Sequence, residues 1–193
     1  PLPPIAGHFP GGPHFLIQPA RRTGAATIEA MAGTSFDYPS VSRITAGAVG
    51  EPGKRAFFLQ LRAGGTLVSL AVEKEQLRVL AARLEEVFTE VSAPAAGKMP
   101  DMSLEPPVDS AWRVGLISLS YDEGAQDFEI SLVELVEEGD DPATGHFHAT
   151  VSQMQALAHH ALELVAAGRP PCPMCGGPID HDGGVCPRLN GHH

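Results

Sequence analysis

The sequence lacks the long apolar segments that a membrane-spanning helix requires. No run of about 18 apolar residues occurs in the 193 residues. Residues 1–30 also lack the basic head and apolar stretch of a secretory signal. Cysteine is scarce, and its count of three is odd, which fits metal ligation in a reducing compartment better than a set of disulfides. We therefore expect a cytoplasmic protein without a membrane segment.

Positive charge is nearly absent from the second half of the chain. Between Met99 and Gly168 the only basic residue is Arg113, against thirteen Asp and Glu, and the net charge of the chain is −10. Such a surface repels phosphate backbones, so nucleic-acid binding is disfavoured. Residues 41–98 contain eight Lys and Arg against six Glu. A basic face on this first half keeps nucleic-acid binding as a second alternative.

Familiar catalytic motifs are missing as well. The chain contains no Gly-x-Ser-x-Gly, no His-Glu-x-x-His and no phosphate-binding glycine loop. This favours a protein without catalytic activity. The first alternative is an enzyme, or an enzyme subunit, whose site lies between the two repeats described next.

The order of apolar patterns predicts an α+β fold made of two similar units. In the first unit, strands at 42–49, 55–61 and 66–72 are separated by glycine-containing turns. An amphipathic helix follows, because apolar residues recur at helical spacing. These residues are Leu77, Leu80, Ala81, Leu84, Val87, Phe88 and Val91.

The second unit repeats this order, with strands at 112–120, 126–136 and 146–151. Ser152 is the predicted N-cap of its helix, Gln155 completes a capping box, and the helix ends at Gly168. Aligning residues 72–87 with 150–165 pairs Leu84 with Leu162, so both should be buried. The apolar face of this helix comprises Met154, Leu157, Ala158, Ala161, Leu162 and Val165.

Two strand-strand-strand-helix units can form one continuous antiparallel sheet or half-barrel with both helices packed on it. The predicted domains are a disordered tail (1–35), a duplicated body (36–168) and a zinc knuckle (169–193). Within the body, repeat 1 covers about 41–91, the linker 92–109 and repeat 2 about 110–168. The tail is rich in Pro, Gly and Ala, and Met31 is a candidate native start.

The last 22 residues contain all three cysteines. Cys172 and Cys175 form a Cys-x-x-Cys pair on a turn of Pro and Gly, and Cys186 follows after ten intervening residues. This is the spacing of a zinc knuckle, and it predicts one Zn²⁺ bound by these thiolates. His192 is the favoured fourth ligand because it closes the second half of the site, and His181 is the alternative. A redox pair is less favoured, because such pairs open a helix and need no third cysteine.

Two other clusters have metal-binding residue types. His146 and His148 occupy alternate positions of a strand, but with Phe147 and Ala149 facing the core they should face solvent or a neighbouring strand. A carboxylate cluster near the end of another strand reads as a solvated acidic loop, although it has the oxygen ligands of a divalent cation. Its members are Glu134, Glu137, Glu138, Asp140 and Asp141.

Three segments resemble a known family. The opening Phe36-Asp-Tyr-Pro with Arg43-Ile-Thr-Ala-Gly-Ala-Val-Gly50, the middle Arg55-Ala-Phe-Phe-Leu-Gln60, and the end Pro171-Cys-Pro-Met-Cys-Gly176 are similar to the actinobacterial domain of unknown function 3090 family. The resemblance covers about residues 36–192. It implies a bacterial cytoplasmic protein without an assigned activity. The family pattern has a histidine two residues before the last cysteine, where this chain has Gly184, which leaves His181, His192 and His193 for the fourth zinc ligand.

Together these observations predict a non-enzymatic cytosolic zinc protein that acts through a protein partner.

Overall fold

The computed structural model describes residues 15–17, 33–51, 54–95 and 97–167. Within these ranges the fold is α+β, as predicted, and consists of a mixed sheet and two helices. The strands are β1 Phe15–Ile17, β2 Phe36–Tyr38, β3 Arg43–Val49, β4 Ala56–Ala63, β5 Thr66–Val72, β6 Ser110–Asp122, β7 Asp127–Glu134 and β8 Thr144–Thr150. The helices are α1 Lys74–Glu90 and α2 Val151–Ala166.

The strand order is β2-β8-β7-β6-β5-β4-β3, and β1 pairs with the second half of β6. The sheet is mixed, whereas the prediction was an antiparallel sheet or half-barrel, because β5 pairs parallel with β6 and β2 pairs parallel with β8. The first of these pairings requires the chain between α1 and β6 to return to the start of β6, because α1 begins beside Val114 and ends at the β6–β7 turn, the far end of that strand. The sheet also curls. Val41 N, just before edge strand β3, donates to His148 O of β8 at 3.0 Å.

The core lies between one face of the sheet and the two helices, which also pack against each other. Burial alternates along β7 and β8, as expected for strands with one apolar face. In β7, for example, Phe128, Ile130 and Leu132 are almost fully buried. The ring of Phe88 on α1 meets the ring of Phe128 edge to face at 5.7 Å. The predicted apolar stripe of α1 is confirmed, since all of its members except Val91 are buried.

The start of α2 differs from the prediction. Its N-cap is Thr150, not Ser152, and Gln153, not Gln155, completes the capping box. β8 runs directly into the helix, so the last strand residue already has the extended backbone that an N-cap needs. Helix α1 starts in the same way, with Glu73 as N-cap and Gln76 in the capping box.

The predicted burial of Leu162 is wrong. Leu84 on α1 is fully buried, whereas Leu162 on α2 is 41% exposed. The buried stripe of α2 consists of Met154, Leu157, Ala158, Ala161 and Val165, with Ala156 beside it. Leu162 lies outside this stripe.

Some residues of the predicted disordered tail pair with the body. Strand β1 runs antiparallel to residues 117–119 of β6. Further along, Gly33 N donates to both carboxylate oxygens of Glu134, and the indole of Trp112 donates to Thr34 O. The ring of Phe36 then stacks on Trp112.

Candidate functional site

The predicted zinc ligands lie outside the described residues. This holds for Cys172, Cys175, Cys186, His181 and His192, and so for the predicted knuckle at 169–193. Helix α2 leads towards this segment and ends at Ala166, where the N–H of Ala167 still donates to Glu163 O at 2.8 Å.

Side chains that point away from the helices form what we call the outer face of the sheet. On β3, β4 and β5 this face carries two cross-strand rows. Arg43 lies opposite Arg62, and Thr45 lies opposite Gln60, which in turn lies opposite Ser69. The second row is buried although it is polar. It must therefore be covered by another part of the chain.

The cover is residues 101–105 of the predicted linker, which we call the strap. The side chain of Gln60 makes two hydrogen bonds to the strap backbone. Its NH2 group donates to Glu105 O, and its carbonyl oxygen accepts from Glu105 N. Thr45 Oγ1 donates to the backbone oxygen of Met102, whose side chain is buried. Leu104 lies over Gly47, where an added Cβ would be 2.3 Å from Leu104 Cγ. The strap is thus packed structure, and not a free linker.

An ion-pair cluster fixes the end of the strap. Arg43 and Arg62 are like charges on opposing strand positions, an unfavourable arrangement on its own, and Glu105 bonds to both of them. The hydrogen bond from Arg62, with a further contribution from Arg43, lowers the pKa of Glu105. A carboxyl group whose pKa is lower in the folded than in the unfolded chain stabilises the fold at any pH above its unfolded pKa. This stabilisation is lost as the pH falls through the folded pKa. The strap is therefore held at neutral pH and loses this contact only in acid.

Several basic residues of the first half are paired with carboxylates. Beyond the cluster at Glu105, Arg78 binds Glu75, and Arg83 binds Glu86 and Glu90 on α1. A phosphate backbone would have to compete with these pairs. The pairing weakens the case for a basic nucleic-acid face.

The outer face of β6, β7 and β8 carries the two strand histidines. As predicted, Phe147 and Ala149 are buried, and His146 and His148 point to the other side. His146 Nδ1 lies 3.0 Å from Ser131 Oγ, and His148 Nδ1 lies 3.4 Å from Asp127 Oδ2.

Glu134 is a structural acceptor. Unlike the exposed residues Glu137, Glu138, Asp140 and Asp141, it is buried, and it accepts from Gly33 N and from Ala143 N at 3.0 Å. The remainder of the cluster is a solvated acidic loop, as predicted. Within the described ranges no three His, Cys, Asp or Glu side chains converge in a way that could hold a metal ion.

A groove of about 350 Å³ lies where the end of α1 meets the β6–β7 turn. Its lining comes from both predicted units and from the first residue of the linker: Glu90, Val91, Ser92, Tyr121, Glu123 and Gln126. Polar residues from both units are what the enzyme hypothesis expects. The described residues that line the groove include two hydroxyl groups and two carboxylates, those of Ser92, Tyr121, Glu90 and Glu123, but no histidine, cysteine or lysine.

Comparison with protein families gives one match. Residues 36–186 match the family described as a protein of unknown function, DUF3090. The chain belongs to the DUF3090 family. The match begins at the first residue of β2 and ends at Cys186, so the family region comprises the described body from β2 onwards and all three cysteines. His181 lies inside it, and His192 lies outside.

Comparisons with curated proteins and with solved structures found no match. Among the described residues, neither helix is long and apolar enough to cross a membrane.

Proposed function

We propose that this DUF3090 protein is a cytoplasmic zinc-binding module that acts through a protein partner and has no catalytic activity of its own. The observation that carries the proposal is the cysteine arrangement: Cys172-x-x-Cys175 followed by Cys186, with the three cysteines inside the family region. Thiolates at this spacing suit the tetrahedral coordination of Zn²⁺.

The role proposed for zinc is structural. A segment of about 25 residues cannot bury a core of its own, and metal binding can supply its folding free energy instead. The body from Phe36 to Ala167 has an extensive apolar core formed by its own residues. Zinc would therefore order the C-terminal segment without being needed by the body.

The partner is proposed to bind the zinc-ordered segment. Met174, Ile179 and Leu189 stand there among prolines and glycines. Apolar residues in a segment that lacks its own core are available to a protein surface. Co-purification from the source cells should then recover a protein with the native chain that a Cys175→Ala chain does not retain. Recovery of the same protein by both chains would contradict this role for the segment.

We also infer that the body arose by duplication, with a register that differs by one residue from the sequence alignment. The sequence alignment separates equivalent residues by 78 positions. The two N-caps, Glu73 and Thr150, are separated by 77 positions, and so are the two capping-box glutamines, Gln76 and Gln153. The same separation relates buried Leu77 to buried Met154. Each unit also has three strands in meander order before its helix.

His192→Ala should lower zinc affinity by about tenfold or more, because a tetrahedral site loses one of its four ligands. His181→Ala should leave the affinity unchanged. Competition with a chromophoric chelator measures both values on the full chain. The reverse result would make His181 the ligand, in agreement with its place inside the family region. Unchanged affinity in both variants would contradict a four-ligand site that includes either histidine.

The enzyme alternative is supported by one observation, the groove between α1 and the β6–β7 turn. The nucleic-acid alternative predicts binding that weakens steeply with salt. The acidic net charge of −10 opposes it.

A further inference from the structure

His146 and His148 occupy positions i and i+2 of β8, so both side chains stand on the outer face, about 6.8 Å apart along the strand. The strap covers the other half of this face, and these histidines lie beyond it. The side chain of His148 is 40% exposed, and His146 is exposed. Both rings are accessible to a solute.

In each ring, Nδ1 faces an oxygen atom of β7, at 3.0 Å for His146 and at 3.4 Å for His148. Nδ1 of His146 meets the Ser131 hydroxyl, and Nδ1 of His148 meets the Asp127 carboxylate. When Nδ1 donates its proton to such an oxygen, the lone pair of Nε2 is left free for a ligand. Metal-binding histidines are oriented in this way, with a hydroxyl, carbonyl or carboxylate behind the ring.

The surroundings of His148 favour positive charge. Asp127 Oδ1 is buried and has no hydrogen-bond partner among the residues that the structure describes. Glu129, directly opposite His148 on β7, adds a second carboxylate. A buried carboxylate oxygen without a donor is costly, and a cation bound at the neighbouring ring reduces that cost.

We propose that His146 and His148 bind one divalent transition-metal ion through their Nε2 atoms. Imidazole nitrogens select Zn²⁺, Cu²⁺ or Ni²⁺, whereas Mg²⁺ and Ca²⁺ require oxygen ligands. Because no third ligand side chain converges here within the described residues, water completes the coordination sphere. The ion at this site is exchangeable, and the site is independent of the cysteine segment.

The test uses the full chain with Cys172→Ser, Cys175→Ser and Cys186→Ser, so that thiolates cannot bind the probe ion. Cu²⁺ is titrated calorimetrically. His146→Ala or His148→Ala should weaken one binding event by about tenfold or more, and Asp127→Asn should weaken the same event by about 10-fold to 100-fold. His159→Ala is the matched control. This histidine is exposed on α2 beside Glu163 and should have no effect.

A second measurement needs no histidine substitution. Substoichiometric Cu²⁺ should broaden the NMR signals of residues 129–131 and 146–148 before those around His159. The proposal is overturned if the two strand variants bind Cu²⁺ like the His159→Ala control, or if broadening is confined to residues away from β7 and β8. Neither outcome tests zinc binding by the cysteine segment, because the three Cys→Ser substitutions remove its thiolates.

Discussion

Replacing Leu84 by alanine should lower the free energy of unfolding by about 2–5 kcal/mol. Leu84 is fully buried where α1 packs against the sheet and α2. The substitution removes apolar contacts and leaves a cavity that the neighbouring side chains cannot fill. Urea denaturation followed by circular dichroism measures the loss.

Leu162→Ala is the matched control, because it makes the same chemical change on the other helix. Leu162 is 41% exposed, so its replacement should change the free energy of unfolding by no more than about 0.5 kcal/mol. Equal and large losses in both variants would contradict the described packing of α2. They would also restore the equivalence of Leu84 and Leu162 that the sequence alignment predicts.

Replacing Glu134 by alanine should cost about 2–4 kcal/mol, because two partly or fully buried N–H donors, those of Gly33 and Ala143, lose their carboxylate acceptor. The effect should reach the chain around Gly33 and Thr34, which contacts the indole of Trp112. Trp112 is the only tryptophan of the chain. Its fluorescence therefore reports the local change, and urea denaturation reports the global one.

Glu138→Ala is the control for charge, since it removes a carboxylate from the exposed loop that follows β7. Its free energy of unfolding should stay within about 0.5 kcal/mol of the native value. If Glu134→Ala were as stable as Glu138→Ala, the buried carboxylate would not be what holds residues 33–35 against the body.

Periodicity predicted the element order well, because each helix and strand must present an apolar side to the core. The stripe of α1 and the outward histidines of β8 follow from spacing alone. The start of α2 does not. Ser152 and Thr150 are both good N-caps, and the choice depends on where β8 ends, which is set by its pairing with β7.

Contacts between distant residues could not be read from local patterns. The strap looks like a linker because it lies in a proline-rich segment, yet Met102 and Leu104 are the apolar anchors that could have marked it. The two hydrogen bonds between the Gln60 side chain and the Glu105 backbone join residues 45 positions apart. Strand β1 is likewise stabilised by pairing with β6, about 100 residues away, and not by its own composition.

The central claim is that the cysteine segment binds zinc, and the zinc content of the protein purified without chelator tests it most directly. Elemental analysis should give about one Zn²⁺ per chain for the native sequence and none for Cys175→Ala, since a tetrahedral site that loses a thiolate loses most of its affinity. A metal-free native protein with three freely reacting thiols would contradict the claim.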